Sequence, residues 1–379
     1  MKILKNLFFI LTTFALANIY GDIKPGNIRI LLKKNVDHSL LEVCGPYYIF
    51  NPHDHSKISS GILDKRFIVR PISNGIKWGR EFPEIHQILI APRSKETKIL
   101  LDGIQYDGAI IIYKIKNKIN IINEIAIESY LKSILTTQFE YPLEPEAMAA
   151  VAIASRTTAY FQTLKNKNSY WDIDGEKIEY EGSALIINDS PIVKAVEETN
   201  NIILLNSGKP FCALWTEHSA GNIAPLESIL RKDLNAPKEY IKTPHAALDK
   251  KESFWSFSIP IKKFNDIFKI EKIEEIKLFQ EKESKKIYAI RIKEKDTIKD
   301  INFFTFQKKL GKENIKSNDF SVIIDENKII FEGYGIGHGV GICLYSATAI
   351  AQNGKDAATI LHKFYPNTNI VNISKSKKR

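Results

Sequence analysis

The chain has 379 residues, 44% hydrophobic and 26% charged, with a formal net charge of +10 from 54 Lys and Arg against 44 Asp and Glu. That length carries one large or two moderate domains stabilised by their own cores; three scattered cysteines, Cys44, Cys212 and Cys343, allow one disulfide but exclude a disulfide framework and offer no zinc spacing. Without Lys2 and Lys5 the charge is +8, and without the tail cations Lys375, Lys377, Lys378 and Arg379 it is about +4, too mild for a nucleic-acid-binding face.

In chain order, the basic start Met-Lys-Ile-Leu-Lys-Asn leads into an apolar run from Leu7 to Ala17 that closes on Ala15-Leu16-Ala17. This predicts a signal peptide over 1–17 and export to the periplasm or cell envelope. The run is short for a membrane span, and a retained anchor is the alternative. A β-rich lobe is expected over 18–127, with apolar runs at 28–32, 47–50, 67–70, 88–91, 99–101, 109–114 and 119–122. Asp102-Gly103 and Asp107-Gly108 are tight-turn signals between them.

From 128 the pattern turns helical. Ile127, Leu131, Ile134 and Gln138 form one amphipathic stripe, and the chain breaks at Tyr141-Pro142. A second helix is expected from Pro145, through Glu146-Ala-Met-Ala-Ala-Val-Ala-Ile-Ala-Ser-Arg-Thr157, whose small residues permit close packing. After the polar stretch 170–182, strands are predicted at 202–205 and 211–215, leading to Glu217-His-Ser-Ala-Gly-Asn222. Residues 254–330 read as an α+β insertion without evident chemistry. Then comes Gly333-Tyr-Gly-Ile-Gly-His-Gly-Val-Gly-Ile-Cys-Leu-Tyr345, five alternating glycines around His338, followed by helices at 345–353 and 357–364 and a basic tail, 371–379. Such glycine density suggests a site in which backbone holds His338, or else a glycine-rich strand corner. The tail reads either as a contact for anionic envelope polymers and lipid headgroups or as a solvated end. The fold class predicted is α+β: a β-rich N-terminal lobe, a central helical pair, and a C-terminal α+β lobe.

Four blocks in fixed order, Glu128-Ser-Tyr-Leu-Lys-Ser-Ile-Leu135, Glu146 to Thr157, His218-Ser-Ala-Gly221, and Gly337-His-Gly-Val-Gly341 with Ile360-Leu-His-Lys-Phe-Tyr-Pro-Asn-Thr368, resemble the family of stage II sporulation protein D and the amidase enhancer LytB. The resemblance covers roughly 28–370, making 128–370 the family-like core. It implies a cell-wall protein acting on peptidoglycan glycan strands, as a lytic transglycosylase or as an activator of an amidase. In enzymatic members one glutamate protonates the glycosidic oxygen and then serves as base while the muramic acid 6-hydroxyl closes an anhydro ring.

Ungapped alignment of the blocks places that glutamate at Gln138, and an amide transfers no proton near neutral pH. The nearest carboxylate, Glu140, would be turned by about 200° in a continuous helix. A helix ending at Thr137 would free a loop to bring Glu140 round. Leu344 and Ser346 also depart from the family's usual glutamine and glycine. By the same resemblance His218, Ser219, Gly221, His338, Gly339, Tyr345 and Arg156 line the substrate cleft, Arg156 with a structural reading beside it. No Gly-x-Ser-x-Gly elbow supports a serine hydrolase built on Ser219, and 170–182 lacks the histidine and cysteine with which some members bind zinc, so no metal and no cofactor is expected. Two hypotheses result: a transglycosylase with Glu140 as displaced acid, which the surviving cleft motif favours, and a glycan-binding or amidase-activating protein that lost the acid.

Overall fold

The computed structural model describes residues 25–295 and 297–375. The expected signal peptide and the tail beyond residue 375 lie outside the described residues. The fold is α+β, and the described residues divide into two compact units, one holding 25–142, 159–203 and 372–375, the other 143–158 and 204–371.

The first unit is built on two antiparallel-rich sheets. One has seven strands in the order Ile173–Asp174, Asn27–Val36, Lys118–Ala126, Ala109–Ile115, Gln87–Pro92, Tyr47–Phe50, Lys57–Gly61. The other has six: Ile104–Tyr106, Lys98–Leu101, Ser39–Cys44, Lys65–Ile72, Gly75–Trp78, Arg80–Pro83. Alternate residues such as Ile28 and Ile30, and Leu41 and Val43, are buried with the period of two that strands impose, while the central strands Ala109–Ile115 and Lys118–Ala126 bury both faces, the second around Leu31, Leu89, Ile111 and Ile122. The Tyr47 and Trp78 rings meet between the sheets at 5.5 Å. At Asp102 and Gly103, φ values of +50° and +85° make the tight turn that joins two paired strands.

The helix Ile127–Gln138 continues directly from the last long strand and ends where Phe139 adopts an extended φ of −121°. It packs on the helix Pro191–Glu198, where Lys132 and Glu197 pair at 2.6 Å. The polar stretch 170–182 is tied to the lobe: Asp172 accepts from Arg29 N, Nε and Nη2, and the Tyr180 hydroxyl donates to Asn123 Oδ1 at 2.8 Å.

In the second unit the strand expected at 211–215 reduces to Trp215–Thr216, which pairs in parallel with Ile342–Cys343. The reason is local. The Thr158 hydroxyl, on the helix Pro145–Lys165, accepts from Ala213 N at 2.9 Å and donates to Ala213 O at 2.6 Å, so a side chain takes both bonds that a ladder would need. Thr157 likewise accepts from Leu204 N at 2.9 Å.

The segment 254–334 forms its own core around Trp255, Phe264, Phe306 and Phe331. Its strands are Phe254–Pro260, Lys328–Tyr334 and Phe320–Ile324 in one sheet, and Glu275–Gln280, Ile287–Glu294 and Thr297–Asn302 in another, with helices Ile261–Phe268 and Phe303–Leu310. The helices Leu344–Gln352 and Ala357–Phe364 follow the glycine loop. All three cysteines are free thiols, so the disulfide that the count allowed is not formed.

Candidate glycine-loop site

The glycine loop is laced to two other segments by single bridges. Residues 218 and 336 exchange both backbone bonds, at 3.0 and 2.9 Å; Ala224 N donates to Gly339 O at 2.9 Å, and Gly337 N donates to Lys316 O at 2.8 Å. Such lacing brings backbone against backbone. At Gly341 (φ +76°) a Cβ would stand 1.9 Å from Leu214 O, a carbonyl that already accepts from Ile342 N and from the Tyr365 hydroxyl. Only glycine fits there.

This lacing orients both histidines. His218 Nδ1 accepts from Ala220 N at 3.2 Å and His338 Nδ1 from Val340 N at 3.4 Å, which leaves the proton of each neutral ring on Nε2. Burial pulls the pKa of the partly accessible His338 down to about 4, and Phe304 approaches its ring at 6.4 Å. His218, 8% exposed, is lowered first by burial and then by the charge of Lys286, with Asp249 opposing. Both rings are therefore neutral hydrogen-bond donors at pH 7, not general acids.

Tyr345 lies 4.8 Å from the His218 ring, centroid to centroid, and keeps 38% of its surface accessible. Its hydroxyl donates to Asp249 Oδ2, a bond that with the carboxylate's charge pushes the phenol up to about 12. Ser219 is fully buried and its hydroxyl meets Thr243 Oγ1 at 2.7 Å, so it is coupled to no histidine. Gly221 (φ +101°) accepts from Thr243 N at 2.9 Å and lies against Ala247, where a Cβ would be 3.0 Å from its methyl. Arg156 is fully buried. Arg156 and Ser219 are thus enclosed by protein, while His338 and Tyr345 reach the surface.

The structure gathers His218, Ser219, Gly221, His338, Gly339 and Tyr345 around one loop. Gln138 and Glu140 belong to the other unit, and both are exposed. The helix runs to Gln138 rather than stopping at Thr137, so the early break that would swing Glu140 round is not made there; Glu140 follows the buried Phe139 in the bend. Leu344 is buried, and Ser346 is buried with no partner for Oγ among the described residues.

Lys286 and Asp319 escaped the sequence reading. Lys286 Nζ donates to Ser219 O at 2.7 Å and to Asp319 Oδ2 at 3.0 Å. Nothing in a lysine-rich run marks one lysine as buried, although Ser317-Asn-Asp319 ahead of a strand was a visible polar cluster.

Residues 115–205 match the family model of stage II sporulation protein, SpoIID. Among relatives, the chain is 23% identical over 304 residues to stage II sporulation protein D of Bacillus amyloliquefaciens, covering 68% of this chain and 77% of that one. An uncharacterized protein of Brachyspira hyodysenteriae is 25% identical over 367 residues, covering 95% and 97%. An uncharacterized protein of Chlamydia muridarum is 31% identical over 181 residues, covering 47% of this chain and 63%, less than two thirds, of its own length.

Proposed function

Because residues 115–205 belong to the stage II sporulation protein D family, which supports a cell-wall-related role, we propose that this protein is an exported binder of peptidoglycan glycan strands. One observation carries the reading: Gln138, where the resemblance would put the family's glutamate, is an amide exposed at a helix end. An amide donates and accepts hydrogen bonds but transfers no proton. The accessible groups of the glycine loop are of the same kind. The neutral ring of His338 and the phenol of Tyr345 suit sugar hydroxyls, N-acetyl groups and the apolar face of a pyranose. An activator of a cell-wall amidase would work from the same hold on the strand.

The second reading is a lytic transglycosylase, favoured by the exposure of Glu140 as the first carboxylate past the helix end. Its carboxyl would protonate the departing glycosidic oxygen and then take the proton of the muramic acid 6-hydroxyl as that oxygen bonds to the anomeric carbon.

Mass spectrometry and pull-down of purified glycan strands, intact and stripped of stem peptides, test both readings with wild type, Gln138→Glu and Glu140→Gln. Retention of strands by wild type without anhydro-muramic ends, and appearance of such ends with Gln138→Glu, is the expected result. Anhydro ends released by wild type and lost in Glu140→Gln overturn the binding reading in favour of the enzyme. Strands neither held nor cut by wild type remove both.

A further inference from the structure

The lobe over 254–334 supplies one cation to the glycine-loop region. In the turn before it, the Glu281 carboxylate accepts from Glu283 N, Ser284 N and Ser284 Oγ, and Lys285 takes a φ of +60°; the next side chain, Lys286, is 1% exposed. A buried ammonium is costly unless paired and fully bonded, and this one has both a counter-ion, Asp319, and a backbone acceptor, Ser219 O. Its stem presses on the loop as well. A Cβ at Gly339 would lie 3.0 Å from Lys286 Cδ and Cε and 2.9 Å from Asn318 Oδ1, a buried oxygen without a partner among the described residues.

We propose that Lys286 is a positioning residue: by holding the Ser219 carbonyl while packing on Gly339, it locks the 218–221 turn to the glycine loop and fixes how the His218 ring faces Tyr345. This deepens the glycan-binding reading and rests on it for its functional consequence. The groups facing His218 are Lys286 from the lobe, Asp249 after the helix Pro244–Leu248, and Tyr345 at the start of the helix Leu344–Gln352. Lys286 is the cation among them, and its charge disfavours a protonated ring.

The test uses Lys286→Met, which keeps the length of the stem without the charge, with Asp319→Asn as the second variant. Folding is followed by circular dichroism, the His218 ring and the Ala220 and Gly221 amides by NMR through a pH titration, and strand affinity by pull-down. A folded Lys286→Met whose His218 titrates at higher pH, whose two amide signals move, and whose strand affinity falls about tenfold supports the proposal. A folded variant with ring titration, amide signals and affinity all within twofold of wild type reduces Lys286 to a space-filling role and overturns it. Should Lys286→Met fail to fold, Asp319→Asn decides. It removes the counter-ion that holds Lys286 charged against burial, so the hold on Ser219 O weakens and the Ala220 and Gly221 amide signals should move; unchanged amide signals overturn the proposal. If wild type holds no strands, the glycan reading fails alone, since the ring and amide signals still report on Lys286.

Discussion

Gly103, at a turn of the N-terminal lobe, and Gly341, in the glycine loop, have nearly the same φ, +85° and +76°. Around the first a Cβ would meet nothing within 4 Å; around the second it would lie 1.9 Å from Leu214 O. At Gly103 the glycine serves a local turn. The loop uses it to let in a segment more than a hundred residues away. Ion pairs differ in depth as well: Lys132–Glu197 lies near the surface, whereas Lys286–Asp319 of the second unit and Arg29–Asp172 of the first each hold one partner inside. What differs between the two glycines is whether the residue answers to its neighbours in sequence or to a distant backbone.

The largest expected effect tests this directly. Gly341→Ala should cost about 4 kcal/mol or abolish folding of its unit, because the methyl displaces backbone, whereas Gly103→Ala should cost about 1 kcal/mol for its left-handed φ. Urea unfolding of both variants measures the gap, and equal costs would erase the contrast. Acid comes next. His338, held near pKa 4 in the fold against an ordinary value of 6.5, favours folding only while neutral. Its contribution is complete above pH 6.5 and is lost as pH falls towards 4, by about 3 kcal/mol at most. Unfolding titrations at pH 7 and pH 4.5 should show that loss in wild type and a smaller one in His338→Gln; equal slopes would remove the assignment. Smaller still, Thr158→Val should cost about 2 kcal/mol by stranding the N–H and carbonyl of Ala213, while Lys132→Ala should stay within about 0.5 kcal/mol. Thermal melts rank the two, and the reverse order would mean that the surface pair matters more than the internal one.

The same division decides what could be read from the chain. All seven apolar runs of the lobe are strands, because period-two burial and turn residues are local signals. Lys57–Gly61, Gly75–Trp78, Arg80–Pro83 and Ile104–Tyr106 escaped, being short and interrupted by polar residues or prolines, and Ser39–Cys44 escaped because Leu40 and Leu41 together hide the alternation that its burial shows. The helices Ile127–Gln138 and Pro145–Lys165 start where stripe and proline placed them, and Leu344–Gln352 and Ala357–Phe364 lie within a residue of the expected 345–353 and 357–364. The motif positions His218, Gly221, His338 and Tyr345 do cluster, which block order alone suggested. Residues 211–214 were misread because a continuous apolar run cannot announce that the Thr158 hydroxyl will replace its ladder. Lys286 was invisible for a like reason: among Lys282, Lys285 and Lys286, the choice of which one turns inward is made by the Glu281 turn and by a carbonyl 67 residues earlier.

The lobe that carries Lys286 enters and leaves the glycine-loop unit through two strands paired with each other along their whole length, from Phe254 opposite Tyr334 to Pro260 opposite Lys328. A segment mounted on such a stem can lengthen, shrink or be replaced beyond Pro260 without re-threading the rest of the chain. Related proteins are then free to differ greatly in size here, and a graft that preserves the stem should splice cleanly. A short hairpin closed across Pro260 and Lys328 would nevertheless delete the lysine that reaches Ser219, so a transplant is complete only when a cation returns to that carbonyl.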